Sequence, residues 1–272
     1  MKILSSFSDT PIQNRKSSYQ QKPINNFRSS LKNDTFEKSN TISFKGPTKL
    51  TNPDLLPIKS FEEYKQVLER IYNTKNAKGN PIFDIARNLK EFPKVSKEEE
   101  GLLLYAGLDD LSGDINRYLT HRELIRTDEP TIKDVIRAFD YSLGKLDKKE
   151  GKYSGIVFRQ GFFQTNEGQY ISTTTDPEIA AYLRGGISFN KNLDFYVIDT
   201  KNAHKINTFQ KRMGSFYADE EKEILIDRTA NLREITSPTG NLLFAKRKLS
   251  NILEQCLRRP PERNQVRTFV QE

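Results

Sequence analysis

The sequence predicts an α+β protein with a helical first half and a strand-built second half. Three observations carry that reading. Apolar residues recur at helical spacing between Phe61 and Leu146, and from Lys152 onward the period falls to two, with β-branched and aromatic residues prominent. Strands that follow helices, with one short helix among them, also fit segregated α+β architecture better than alternating βαβ units.

Residues 1–56 are rich in Ser, Asn, Gln and Lys and show no sustained period, which reads as a disordered basic segment compatible with an export signal. Ser60-Phe-Glu-Glu63 is a capping-box pattern, followed by Phe61, Tyr64, Val67, Leu68 and Ile71 on one helical face. Ser96-Lys-Glu-Glu99 repeats the device ahead of Leu102–Tyr105, and Ile115–Leu119 keeps the helical character. Thr131-Ile-Lys-Asp134 opens a further helix carrying Val135, Phe139, Leu143 and Leu146. Tyr153–Arg159, Tyr170–Thr174 and Phe195–Ile198 then read as strands, and Leu242–Ala245 reads as a last strand. Asp176-Pro177 is an N-cap with proline at the first helical position, so a short helix is expected from about 177 to 183. The folded domain is placed at 57–257. Leu249, Ile252, Leu253 and Cys256 form a stripe that caps its core, and 258–272 follow as a basic tail.

The net charge of +8 invites a nucleic-acid reading until it is located. Residues 1–56 hold nine Lys/Arg against four Asp/Glu, residues 246–272 hold seven against three, and the middle is nearly neutral. A basic face on the folded part with interleaved aromatics is missing from this pattern, so no nucleic-acid partner is expected. No apolar run approaches the roughly 18 residues of a membrane span. The N-terminus lacks the apolar stretch of a general secretory signal. Cys256 is the single cysteine, which excludes an intramolecular disulfide and fits a reducing working compartment. The sequence carries no P-loop, no dinucleotide-binding glycine motif after a strand and no Cys/His cluster, so no metal is expected. His121 is placed in a helical region and His204 in a loop after Asp199, both as surface or packing residues.

The most informative stretch is Gly214–Ile226, where Glu220, Glu221 and Glu223 precede the apolar run Ile224-Leu225-Ile226. In an extended strand Glu221 and Glu223 share a face, and like charges held together beside buried aliphatics cost stability. The plain alternative is a solvated acidic turn entering an edge strand. Upstream, Arg159 ends a strand on the face that carries Val157, opposite Ile156 and Phe158, and offers a guanidinium fork for phosphate or carboxylate. Ser172, Thr173 and Thr174 supply hydroxyls able to hold a carboxylate in one rotamer. Each signal is weak by itself. The order Arg, then aromatic-x-Ser-Thr-Thr, then Glu-x-Glu-aliphatic-Leu is more specific.

On Phe158-Arg159-Gln160-Gly161, Tyr170-Ile-Ser172-Thr173-Thr174 and Glu221-Lys-Glu223-Ile-Leu225, the sequence resembles the arginine-serine-glutamate class of mono-ADP-ribosyltransferases found among bacterial toxins, injected effectors and some phage enzymes. The resemblance spans roughly residues 98–245, and Ile115–Leu119 resembles the helical segment that precedes the catalytic core in that family. It departs from the family pattern in placing Thr174 at the third position of the Ser-Thr-Ser motif. A second phosphate-contacting arginine, carried by some members, is unassigned, with Arg184 a guess.

The resemblance implies a split β-sandwich with a helical N-terminal half, and NAD as a substrate contacted by Arg159, Gln160, Gly161, Ser172, Thr173, Thr174 and Glu223. Glu223 would stabilise the oxocarbenium-like transition state through the ribose 2′-hydroxyl, and Arg159 would pair with the pyrophosphate. Ser172 would orient Glu223. Glu221 would orient an arginine acceptor and help remove its proton. Phe216 or Tyr217 would contact the target protein. The resemblance further implies a monomer secreted from a bacterium and acting on a protein arginine in host cytoplasm. Two alternatives stay open: an NAD glycohydrolase with water as acceptor, and a binding module that keeps the fold without activity.

Overall fold

A computed structural model describes residues 55–109, 111–121, 128–161, 168–181, 194–214, 222–257, 260–262 and 265–272. Among them are eight α-helices and six strands: α1 (Phe61–Asn73), α2 (Ile85–Glu91), α3 (Glu100–Ala106), α4 (Ser112–His121), α5 (Glu129–Glu150), β1 (Lys152–Gln160), β2 (Ile171–Thr174), α6 (Pro177–Ala181), β3 (Phe195–His204), α7 (Ile206–Met213), β4 (Glu223–Ile226), β5 (Leu232–Glu234), α8 (Gly240–Leu257) and β6 (Val266–Gln271). The protein is α+β, helices first.

Local chemistry explains the helix starts. Ser60 accepts from Glu63 N and caps α1. The Glu99 carboxylate accepts from Ser96 N and Oγ, closing a 3₁₀ turn at Lys97–Glu99 that leads into α3. α5 begins earlier than Thr131: Asp128 is its cap, accepting from Thr131 N at 3.1 Å. Tyr64, Leu68, Leu102, Leu103, Val135 and Phe139 are fully buried in one apolar cluster. That cluster also takes in Tyr170 ahead of β2, Phe209 of α7 and Leu225 of β4, so the helical layer packs directly on these elements. Leu55, expected to belong to the disordered segment, is buried there as well.

The strands form two ladders joined at two points. One runs β1-β3-β6-β5, with β3 and β6 parallel. The other is the antiparallel pair β2-β4, with Ser172 opposite Leu225 and Thr174 opposite Glu223. The ladders meet through Phe158↔Thr174 and His204↔Leu225, which closes a ring β1-β2-β4-β3. Val157, Ile171, Tyr196, Ile198, Ile224 and Ile226 share one apolar cluster. Phe158, Phe195 and Val197 join a separate cluster with α6 and α8. The alternation along Ile156–Phe158 of β1 and Phe195–Ile198 of β3 is what assigns these residues to different clusters.

Three expectations are corrected. Leu242–Ala245 is the first turn and a half of α8, not a strand. A four-residue apolar run does not distinguish helix from strand, and here Leu242, Ala245, Leu249 and Leu253 continue one buried helical stripe. Residues 258–272 are not a tail, because Val266–Gln271 forms β6 between β3 and β5. The high basic count of the C-terminus concealed the buried Val266, Thr268 and Phe269 within it. His204 is the last residue of β3 where a loop was expected, and of the surface and packing roles expected for it, its burial leaves the packing one. The helix expected to about Leu183 is described as far as Ala181. Among the described residues no helix is long and apolar enough to cross a membrane.

Candidate active site

β2 and β4 bring the sequence-predicted residues together. In an antiparallel ladder, directly opposed residues share a face, so Ser172, Thr174, Glu223 and Leu225 project to one side and Thr173 and Ile224 to the other. Ser172 is therefore diagonal to Glu223, and its Oγ donates to Glu223 Oε1 at 2.5 Å. A carboxylate at the head of a strand buried on both faces is only 8% exposed. Its second oxygen, Oε2, accepts from Gln210 Nε2 of α7 at 2.7 Å.

Arg159 is placed from the opposite ladder. Its Nη1 donates to the Ser172 carbonyl at 2.6 Å, clasping β1 to β2 directly behind the serine. Burial pushes the guanidinium below the usual arginine range, opposed in part by neighbouring Tyr105, Tyr196 and Glu223. It remains cationic at neutral pH. Gln160 ends β1 and Gly161 follows it at φ +92°, a region that glycine enters readily, while its N–H donates to the Asp194 carbonyl.

The two threonines hold the frame. Thr173 Oγ1 donates to the Ile224 carbonyl at 2.6 Å across the ladder. Thr174 Oγ1 accepts from Asp176 N at 3.1 Å, and Asp176 in turn caps α6 by accepting from Glu178 N. Lys222 enters β4 at φ +47°, an uncommon conformation for a residue with a side chain, and its Nζ pairs with Asp176 at 2.7 Å. The turn on each side of the β2-β4 ladder is thus tied to the other immediately next to Glu223.

Further supports were not foreseen. Asn116 of α4 accepts from Tyr170 N at 3.0 Å just ahead of β2, which gives the Ile115–Leu119 segment a positioning task. Tyr170 OH donates to Asp140 of α5, and Arg228 after β4 holds the same carboxylate at 3.0 Å. Burial pushes the Asp140 carboxyl above its ordinary range, against the pull of Arg228 and Tyr170. Close by, His204 bridges Asp147 of α5 (2.9 Å) and Asp227 after β4 (3.0 Å). Burial lowers the imidazole's pKa, but the hydrogen bonds to both aspartates outweigh it and hold the value up at about 9. His204 is therefore a buried cation that fastens α5 to the ends of β3 and β4.

Glu221, Phe216, Tyr217 and the guessed Arg184 lie outside the described residues. Among the described residues no group of three or more His, Cys, Asp and Glu side chains is arranged to hold a metal ion.

No protein-family model matches the sequence, and no curated protein matches it. Solved structures are similar at a distance. The type III effector XopAI from Xanthomonas axonopodis pv. citri has TM-score 0.44 and 12% identity, over 79% of this chain and 89% of that one. The ADP-ribosyltransferase HopU1 of Pseudomonas syringae pv. Tomato DC3000 has TM-score 0.43 and 12% identity, over 79% and 99%. The ADP-ribosyltransferase Vis, solved in complex with agmatine, has TM-score 0.35 and 16% identity, over 80% and 87%. These are likenesses of this chain to ADP-ribosyltransferases and an effector; the functional reading rests on the side chains.

Proposed function

We propose that the protein cleaves NAD at the nicotinamide–ribose bond and transfers ADP-ribose to a protein arginine. The observation that supports it most is the joined set Arg159–Ser172–Glu223: a buried guanidinium on the carbonyl of a serine whose hydroxyl holds one oxygen of a nearly buried carboxylate. A carboxylate fixed in this way needs no reorganisation when positive charge develops on the ribose, which is where such a group lowers a barrier. Buried acceptors Gln160 Oε1 and Gln210 Oε1, which have no hydrogen-bond partner among the described residues, suit a ligand rich in donors such as ribose hydroxyls and a carboxamide.

In the proposed reaction the bond from C1′ to nicotinamide breaks and nicotinamide leaves with the electron pair. A guanidino nitrogen of the acceptor forms the new bond to C1′, and its proton passes to Glu221. Glu223 stabilises the cationic sugar, Ser172 orients Glu223, and Arg159 faces the pyrophosphate while clasping β2. Phe216 or Tyr217 contacts the target. An export role for the N-terminal segment and action in a host cell belong to the same proposal.

Transfer separates from hydrolysis at Glu221. Glu221→Gln keeps the side chain's size and removes the charge that pairs with and deprotonates arginine. The variant is expected to lose labelling of a guanidino acceptor while keeping a substantial part of water-dependent nicotinamide release, both measured on one preparation. Equal loss of both activities would place Glu221 with NAD. Undiminished labelling would show that the acceptor is another residue type.

A further inference from the structure

We propose that Gln210 is a positioning residue for Glu223, holding its Oε2 as Ser172 holds its Oε1, so that the carboxylate is kept aimed. The contact is a 2.7 Å bond from Gln210 Nε2, made across 13 residues of sequence. Its orientation is dictated by chemistry: turning the carboxamide over would set two acceptors against each other. The chosen orientation leaves Gln210 Oε1 buried and, among the described residues, without a hydrogen-bond partner. A side chain that served only to fill space would not strand a buried carbonyl, and a leucine of the same shape would fill it without that penalty.

The helix that carries Gln210 is itself fastened. Ile206 and Phe209 are buried in the core shared with the helical layer, and Arg212 donates to Glu150 of α5 at 2.5 Å and also pairs with Glu99. Gln210 therefore reaches Glu223 from a fixed platform: one donor comes from the sheet, the other from a helix packed on it. Two donors from different elements hold a carboxylate in rotation as well as in distance, which a single serine does not. Donors on the charged form also favour ionisation. Arg159 on β1, a cation that interacts with Glu223, remains when Gln210 is changed.

The kinetic arm of the test rests on the ADP-ribosyl-transfer reading; the titration arm does not. Gln210→Leu and Gln210→Glu are compared with the parent by carbon NMR of the glutamate carboxyls against pH, with Glu223→Gln identifying the Glu223 signal, and by nicotinamide release from NAD. In Gln210→Leu the Glu223 signal is expected to titrate at higher pH than in the parent, because a donor to the charged form is lost. Gln210→Glu, which sets a second carboxyl beside it, is expected to move it further. Turnover at neutral pH should fall roughly 10- to 100-fold with KM for NAD changed by less than about threefold, and the acidic limb of the rate profile should shift with the titration. A lower melting temperature with unmoved titration in both variants would reduce Gln210 to a structural residue and overturn the inference. A parent that releases no nicotinamide would instead overturn the functional reading, and the titration would still decide the role of Gln210.

Discussion

Glu223→Gln is expected to lower nicotinamide release from NAD by roughly 10²- to 10³-fold, the usual loss when one electrostatic partner of a transition state is removed. The substitution is nearly isosteric at a site where Ser172 Oγ and Gln210 Nε2 both donate to the carboxylate. A carboxamide keeps one acceptor oxygen, but its NH₂ then opposes one of those donors, so the side chain also loses one of these contacts. The fold should survive, because Glu223 stands at the first position of β4 and the apolar residues that follow it carry the packing. Circular dichroism and thermal melting alongside the rate separate the two effects. Release at the parent rate by a folded variant would mean that the carboxylate does not stabilise the reacting sugar.

The second large effect concerns stability. His204→Ala is expected to cost about 3–5 kcal/mol, because it removes the cation from between two carboxylates and leaves Asp147 and Asp227 facing an emptied site. For a domain of this size that corresponds to a fall in melting temperature of roughly 6–20 °C. The pH dependence follows from the direction of the shift. The folded-state pKa of His204, about 9, lies above its ordinary 6.5, so its contribution is complete below about 6.5 and is lost as pH rises through 9. Asp227 is shifted the other way: burial raises its carboxyl, but the bonds from His204 and Thr229 outweigh that and hold it well below the usual range. Its contribution is present above the ordinary carboxylate range and is lost in strong acid. Denaturant unfolding of the parent should therefore show stability falling between neutral pH and about pH 10, with the slope largely absent in His204→Ala. Parallel curves for the two proteins would show that the imidazole is neutral in the fold.

How much of this was legible in the sequence depended on whether a feature is local. Arg159, Ser172 and Glu223 were singled out by the order of their motifs and its resemblance to a known family, while period-two alternation marked the strands that carry them. The caps at Ser60 and Asp176 were readable because the bonding partner lies two or three residues away. Gln210 was not readable: its contact joins a helix to a strand, and nothing in the residues around it marks the pairing. The Asp147–His204–Asp227 bridge draws on three elements, and a lone histidine in sequence carries no trace of it. β6 was missed because charge was counted over a window that also held a strand, and β5, three residues long, gives no period to detect. α8 and the strand expected at its start were a true ambiguity, settled only by the sheet that its stripe covers.

The central claim, ADP-ribose transfer to arginine, is tested most directly by incubating the protein with isotope-labelled NAD and a cell lysate and locating the label by mass spectrometry. The account predicts one ADP-ribose unit on arginine side chains of a small set of proteins, together with free nicotinamide, and neither with Glu223→Gln. Label on a residue other than arginine would contradict the acceptor assignment. The absence of both label and nicotinamide with the parent protein would contradict the reading of the Arg159–Ser172–Glu223 site as a catalyst of NAD cleavage.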